Sequence, residues 1–313
     1  MQFMKRKIIK SQKIIYCNYL SRFANNLFQY CYAHILNKNY NGTIKFSSFS
    51  TLISGESHDK PIEFEPIELK PIFRVTNSNP IFKTKEQMGK FDKDEKNRIS
   101  LKYQINPTFN GILSEKDIIL SGYFQNYKYY KHNKSFIRSL LYKLYEYKLK
   151  VYPSSRDIVI HYRGTDIPSQ TPINFFLDCI SNESNFLKIV VVTDDPKNSN
   201  LQMLYAKLNE NYKGSVVIQS KSVIEDFLYI MYSETIIMSV STFSWMAAWL
   251  SDAKKIYFPV DDYIFNRDGD NRLIVDDEPR YHYVDLKDYK LKGRRYKIIK
   301  KINELKKILF NKY

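Results

Sequence analysis

Apolar residues in the second half of the chain gather in short runs at 157–162, 187–193, 215–219, 234–240 and 255–260, most of them separated by stretches with helical spacing. Val- and Ile-rich runs of this length without polar alternation predict strands buried on both faces, and strands alternating with helices predict a parallel sheet in an α/β architecture. The first half carries the signal more sparsely. KIIYCN at 13–18 reads as a buried strand, and the segment from Asn26 to Leu36 places Leu27, Tyr30, Cys31 and Ile35 at helical intervals. DIILSGYFQN at 117–126 reads as a further strand, followed by a helix from Ser135 to Tyr147. Residues 42–115, rich in Ser, Asn, Pro and Lys with few periodic runs, are expected to form loops and short helices that carry specificity. KVYPSSRD at 150–157 sets Pro153 and two serines between regular elements and is read as a linker. Domains are therefore expected at 1–150 and 151–290, with a C-terminal helix at 291–313.

A length of 313 residues fits two domains and a substantial core. The formal net charge of +16 draws something anionic: nucleic acid, anionic lipid or a phosphorylated small molecule. A net +9 of that charge lies in residues 287–313, which argues against a nucleic-acid groove spread over the surface. Cys17, Cys31 and Cys179 are an odd number at unrelated spacings and fit a reducing compartment. The start MQFMKRKIIK is basic but is interrupted by Ser11 and Gln12 before any signal-length apolar region, and no run reaches the 18 or so apolar residues of a membrane span. A soluble, cytoplasmic protein is expected. From Tyr296 onward Ile298, Ile299, Ile302, Leu305, Ile308 and Leu309 fall on one helix face with lysines on the other, a pattern suited to closing the fold or to lying on an anionic membrane surface.

Chemistry concentrates where the strands of the second half end. His161, Arg163 and Asp166 follow the first of them, and strand alternation projects His161 and Arg163 together while Tyr162 points away. Thr193, Asp194 and Asp195 follow the second strand; Ser239, Ser241, Thr242 and Ser244 follow the fourth, where SVSTFSWMAAWL passes from strand into an apolar helix. A helix N-terminus offers unpaired N–H groups and partial positive charge, and small hydroxyl residues add donors without bulk. An arginine can place two parallel donors on phosphate oxygens, which a lysine cannot. Together these features suggest a diphosphate site, because parallel sheets bind ligands at their carboxyl ends.

Four ordered segments resemble the bacterial α-1,2-fucosyltransferases of glycosyltransferase family 11 and, more distantly, the α-1,6- and protein O-fucosyltransferases. SRFANNLFQYCYA at 21–33 is similar to the family's G-x-x-G-N-Q-x-F-Q-Y-A loop and helix, and SGYFQNYKYY at 121–130 to its G-Y-F-Q-x-x-x-Y segment. HYRGTD at 161–166 is similar to H-x-R-R-G-D, and EDFLYIMYSETIIMSVSTFSWMAAWL at 225–250 to D-x-x-x-M followed by S-x-F-S-W-W-x-A-x-L. VTDDPKN at 192–198 resembles the T-D-D-P of the α-1,6 relatives.

The resemblance implies a GT-B arrangement, two Rossmann-like domains facing a cleft, with GDP-fucose held by the C-terminal domain and a glycan acceptor by the N-terminal one. It assigns Arg163 to the β-phosphate, His161 with Asp194 or Asp195 to the guanosine, and Ser241, Thr242 and Ser244 to the diphosphate. Asn25 would reach toward the phosphate or sugar, and Asp166 is the nearest matching carboxylate for a base or for orienting Arg163. The implied reaction is inverting transfer of L-fucose, or a related deoxy sugar such as colitose, to a galactose hydroxyl of a surface polysaccharide, free or lipid-linked, without cofactor or divalent metal.

Two departures stand out. Ser21 and Ala24 replace glycines of the first loop, and Gly164 and Thr165 replace the second arginine and the glycine of H-x-R-R-G-D. Asp268, Gly269 and Asp270 spell the D-x-D of metal-dependent GT-A enzymes that use UDP-sugars, but NRDGDNR reads better as a charged turn.

Overall fold

A computed structural model of the protein describes residues 14–17, 22–46, 52, 73–76, 100–101, 118–121, 123–145, 148, 150–164, 170–261, 264–265 and 273–289. Asp166, the Asp268–Asp270 triplet and the basic segment 291–313 lie outside the described residues. The chain divides into two compact units, residues 1–137 and 138–313.

The first unit is built on a parallel sheet ordered β2-β1-β5-β3-β4, with β1 at Ile14–Cys17, β2 at Thr43–Phe46, β3 at Phe73–Thr76, β4 at Ser100–Leu101 and β5 at Ile118–Ser121. Three of these strands fall in the region 42–115, which the sequence pattern assigned to loops and short helices. β2 is only part-buried and pairs through the β1 backbone, so it shows no apolar period of its own. The helix α1, Phe23–Tyr40, is buried nearly all round through Leu27, Phe28, Tyr30, Cys31, Tyr32, Ala33, Ile35 and Leu36. It ends where Asn41 turns left-handed at φ 53° and ψ 48°, its N–H donating to Asn37 O at 2.9 Å. The Asn37 side chain exchanges two bonds with the backbone of Gly42, at 3.0 and 2.8 Å, and so fixes the exit into β2.

The second unit carries a six-stranded sheet in which every pairing is parallel, ordered β11-β10-β9-β6-β7-β8. Its strands are β6 at Asp157–Tyr162, β7 at Lys188–Thr193, β8 at Val216–Gln219, β9 at Thr235–Ile237, β10 at Lys255–Val260 and β11 at Tyr281–Asp285. The first five lie where the apolar runs place them; β11 was not read from the sequence. After α2, Lys134–Tyr145, which straddles the division between the units, the helices α3 (Ile173–Ser181), α4 (Ser199–Asn211), α5 (Val223–Met231) and α6 (Thr242–Leu250) connect the strands. Arg138, in the first half of α2, joins the later unit through paired bonds to Asp252.

β6 is buried along its whole length and β7 along all but its first residue, as strands covered on both faces require. α6 is buried at every residue but Phe243, with Trp245 stacked on Trp249 at 5.6 Å between centroids. Its final carbonyls are gathered by Arg280, which donates to the carbonyl oxygens of Trp249 at 2.9 Å and Ser251 at 2.8 Å. A cation there satisfies orphan C-terminal carbonyls and opposes the negative end of the helix dipole. Among the described residues no helix is long and apolar enough to cross a membrane.

Candidate active site

The chain leaves β6 toward β7 and β8 on one side of the sheet, then crosses back to place β9, β10 and β11 on the other. β6 and β9 are therefore the neighbours at which the strand order reverses, and in open parallel sheets ligands bind beyond the carboxyl ends at such a point. His161 stands at the end of β6 and Ser239 two residues beyond β9. Across this point His161 Nδ1 lies 2.8 Å from Ser239 Oγ. The imidazole is only 5 % exposed, and its ring lies 5.3 Å from Phe243 on α6. Burial drives its pKa far below the ordinary histidine value, and the Arg163 cation adds to that effect against the opposing pull of Asp194. His161 is consequently a neutral hydrogen-bonding ring near pH 7. Tyr162 turns the other way, onto Phe176 at 5.8 Å, as strand alternation requires.

Arg163, part-buried, leads into a loop held by the end of β7. The Gly164 N–H donates to Asp194 Oδ1 at 2.9 Å, and Asn198 Nδ2 donates to Gly164 O at 3.0 Å. Asp195 folds its own turn, its N–H donating to Thr193 Oγ1 at 3.2 Å while its Oδ1 accepts the Lys197 N–H at 3.2 Å. Asn198 also caps α4 by accepting from the N–H groups of Asn200 and Leu201. The loop packs so closely that a Cβ on residue 164 would lie 2.8 Å from Asp195 Cβ and 3.4 Å from Asn198 Cβ. Glycine at this position is thus a fit to the TDDPKN turn, and a second arginine beside Arg163 has no room in this conformation.

At the third strand end the chain passes from β9 through Met238–Ser241 into α6. Ser241, extended at φ −156° and ψ 131°, accepts the Phe243 N–H on its hydroxyl at 3.2 Å and caps the helix. Thr242, the first helical residue, is nearly buried. Ser244 is 0 % exposed, and its hydroxyl lies in hydrogen-bond range of the carbonyl oxygens of Ser239 at 3.2 Å and Ser241 at 3.1 Å. Its one hydroxyl proton serves the turn. Thr171 steadies the same turn by accepting the Val240 N–H at 3.0 Å.

The structure thus brings His161, Arg163, Asp194, Asp195, Ser241 and Thr242 to the carboxyl edge of one sheet. Ser239, Asn198 and Thr171 complete the setting. Ser239 was legible as a strand-end hydroxyl but not as the partner of His161, since a contact across 78 residues leaves no trace in spacing. Asn25 belongs to the first unit. It lies in the first turn of α1, part-buried, and Gln125 Nε2 donates to its Oδ1 at 2.7 Å. Because β1 and β5 are parallel neighbours, the start of α1 and the segment after β5 lie toward the same sheet edge. Among the described residues no group of three or more His, Cys, Asp and Glu side chains is arranged to hold a metal ion.

No family model matches the chain. No curated protein sequence matches it either. Among solved structures, a mutant of FUT1 from Arabidopsis thaliana in complex with GDP is similar at a TM-score of 0.43 and 11% sequence identity, over 81% of this chain and 72% of that one. A likeness of that size says nothing of individual residues, so the chemistry rests on the geometry of the strand ends.

Proposed function

We propose that the protein is an inverting glycosyltransferase that moves L-fucose or a related deoxy sugar from its GDP-sugar to a hydroxyl of a glycan acceptor. The observation that carries the reading is the His161–Ser239 pair at the point where the strand order reverses, with Arg163 one residue past the end of β6. In transfer, an acceptor oxygen bonds to the anomeric carbon as the bond from that carbon to the β-phosphate oxygen breaks. The departing electron pair leaves with GDP, and the acceptor proton must pass to a base. The main electrostatic demand is the charge that grows on the leaving phosphate. Arg163, backed by the N-terminus of α6 with Ser241 and Thr242, is proposed to meet it, and neutral His161 with Asp194 and Asp195 to bind the guanosine. Asp166 is proposed to orient Arg163. The acceptor is proposed to be galactose through its 2-hydroxyl, in a surface polysaccharide.

A panel of GDP- and UDP-sugars offered to the purified protein, with lactose as acceptor, tests the reading. Turnover of GDP-fucose or another GDP-deoxy sugar that persists in excess chelator is expected. Turnover restricted to UDP-sugars with Mn²⁺ would overturn it in favour of a metal-dependent enzyme working through Asp268 and Asp270.

A further inference from the structure

Gly164 follows Arg163 directly, and the peptide groups on both sides of its Cα are gripped by side chains of the turn after β7. Its N–H, in the peptide shared with Arg163, donates to Asp194 Oδ1 at 2.9 Å, and its carbonyl oxygen, in the next peptide, accepts from Asn198 Nδ2 at 3.0 Å. Gln170 Nε2 reaches that oxygen only at 3.5 Å, so Asn198 is its better-placed donor. The other end of the Asn198 amide is engaged as well. Its Oδ1 accepts the N–H groups of Asn200 at 3.1 Å and Leu201 at 3.2 Å, which caps α4. Leu201, Leu204 and Leu208 are fully buried, so the helix start that holds this oxygen is rooted in the core. One amide, fixed at both ends, thus runs from that core to the backbone beside Arg163, and every residue of the tether belongs to the second unit.

A glycine after Arg163 creates a difficulty that this tether removes. Lacking a Cβ, Gly164 lets the TDDPKN turn close against it, but glycine also has the widest backbone freedom of any residue, and rotation there would swing the chain that carries Arg163. Aspartate and serine cap helices as well as asparagine does. A carboxylate, however, has no proton to give a carbonyl oxygen, and a serine hydroxyl is a bond shorter, whereas the asparagine amide accepts at one end and donates at the other. We propose that Asn198 is a positioning residue for Arg163: it carries the rigidity of α4 to the backbone after Arg163 and so aims the guanidinium at the leaving phosphate. The task of the guanidinium rests on the GDP-sugar reading above; the tether itself does not.

The test compares Asn198→Asp, Asn198→Ser and Asn198→Ala in the full chain. Aspartate and serine keep the cap, so Tm should stay close to that of the unaltered protein, while alanine should lower it by roughly 2–4 °C, as for loss of one cap in a chain of this size. Transfer follows the other end of the amide. All three variants should lower kcat for transfer from the GDP-sugar to lactose by roughly 10-fold or more, because a small misplacement of a group at the reacting centre is costly, with KM for lactose unchanged. Serine is the neutral control for the charge that aspartate adds. In an Arg163→Lys background Asn198→Ser should lower kcat little further, since residues that act through one another are not additive. Undiminished kcat in Asn198→Asp and Asn198→Ser, or a loss that multiplies in full with that of Arg163→Lys, would overturn the proposal. Backbone amide exchange reads the tether apart from the chemistry: the Gly164 N–H should exchange faster in Asn198→Ser, while the Leu201 N–H, still capped, should not. That pattern in a protein inert to every GDP-sugar refutes the substrate reading and supports the tether. Unchanged exchange at Gly164 refutes the tether, whatever the activity.

Discussion

Replacing Gly164 by alanine tests the packing that sets Arg163 in place. The added Cβ would lie 2.8 Å from Asp195 Cβ and 3.4 Å from Asn198 Cβ. Asp195 Cβ is anchored directly to backbone, so the overlap cannot be relieved by rotating a flexible tip, and the turn carrying Asp194 and Asp195 must retreat. Overpacking of this kind costs about 1–3 kcal/mol. The retreat also strains the 2.9 Å bond from Gly164 N–H to Asp194 and the 3.0 Å bond from Asn198 to Gly164 O, each worth about 1 kcal/mol at full loss. A total near 2–4 kcal/mol follows, and at about 2–4 °C per kcal/mol for a chain of this size Tm should fall by roughly 4–15 °C. Gly214→Ala is the control: nothing lies within 4 Å of its added Cβ, and only the strain of φ +75° remains, about 1–2 kcal/mol. Calorimetric unfolding of both variants, with GDP titrated into each, separates the effects. GDP affinity should fall in Gly164→Ala and stay unchanged in Gly214→Ala. The reasoning is refuted if Gly164→Ala melts with wild type, or if Gly164→Arg binds GDP more tightly.

Three further outcomes are expected. Arg163→Lys should lower transfer by roughly 10² to 10³, about 3–4 kcal/mol, with Tm little changed, because a point charge cannot reproduce a two-donor fork on phosphate; steady-state kinetics reads this, and full activity would remove Arg163 from the site. Acid stability follows from buried groups. His161 and His34, the latter lowered to about 4 by burial, stay neutral in the fold while their unfolded counterparts take protons below about 6.5. Asp226, raised to about 6 by burial, takes its proton in the fold before the unfolded chain does, and so offsets one of the two between about pH 6 and the ordinary aspartate value near 3.8. Urea unfolding should therefore show stability falling as pH drops below 6.5, less steeply below 6; rising stability over that interval would contradict the assignment. Arg280→Met should keep most of the apolar stem yet strip the donors from the Trp249 and Ser251 carbonyls, lowering Tm by several degrees, and an unchanged Tm would show the clamp to be dispensable.

How much of this was legible in the sequence depended on what each residue's signal was made of. β6 and β7 announced themselves because nearly every residue of DIVIHY and KIVVVT is buried, so burial writes itself into composition. β11 is a sheet-edge strand in which only the first residue of YHYVD is buried, and β2 pairs through backbone while its side chains stay largely part-buried; neither needs an apolar run. Gly164 read as an arginine lost, a deficit of charge, whereas the structure gives it a steric cause in a turn some thirty residues further along. The contacts of the Ser244 hydroxyl with the Ser239 and Ser241 carbonyls were not legible, because spacing shows residue type and position but not which way an O–H points.

The polar pairs at the two sheet edges share one logic that spacing alone does not express. In the second unit a residue just beyond β9 bonds the end of β6, and in the first the segment after β5 bonds the first turn of α1; each joins a residue to one far away in sequence. Parallel sheets make such meetings possible, because every strand delivers its successor to the same edge, so residues distant in the chain converge there. Each pair also removes a degree of freedom from the residue that chemistry would use. Ser239 holds a neutral imidazole, and Gln125 holds one end of an amide. A group whose orientation is fixed before its ligand arrives loses less entropy on binding, and its dipole needs no reorganisation as charge develops. Ser239→Ala should therefore reveal itself in affinity for GDP more than in Tm, since the hydroxyl's worth lies in aiming His161 and not in filling space; a loss of Tm with GDP affinity intact would make the pair a structural bond only.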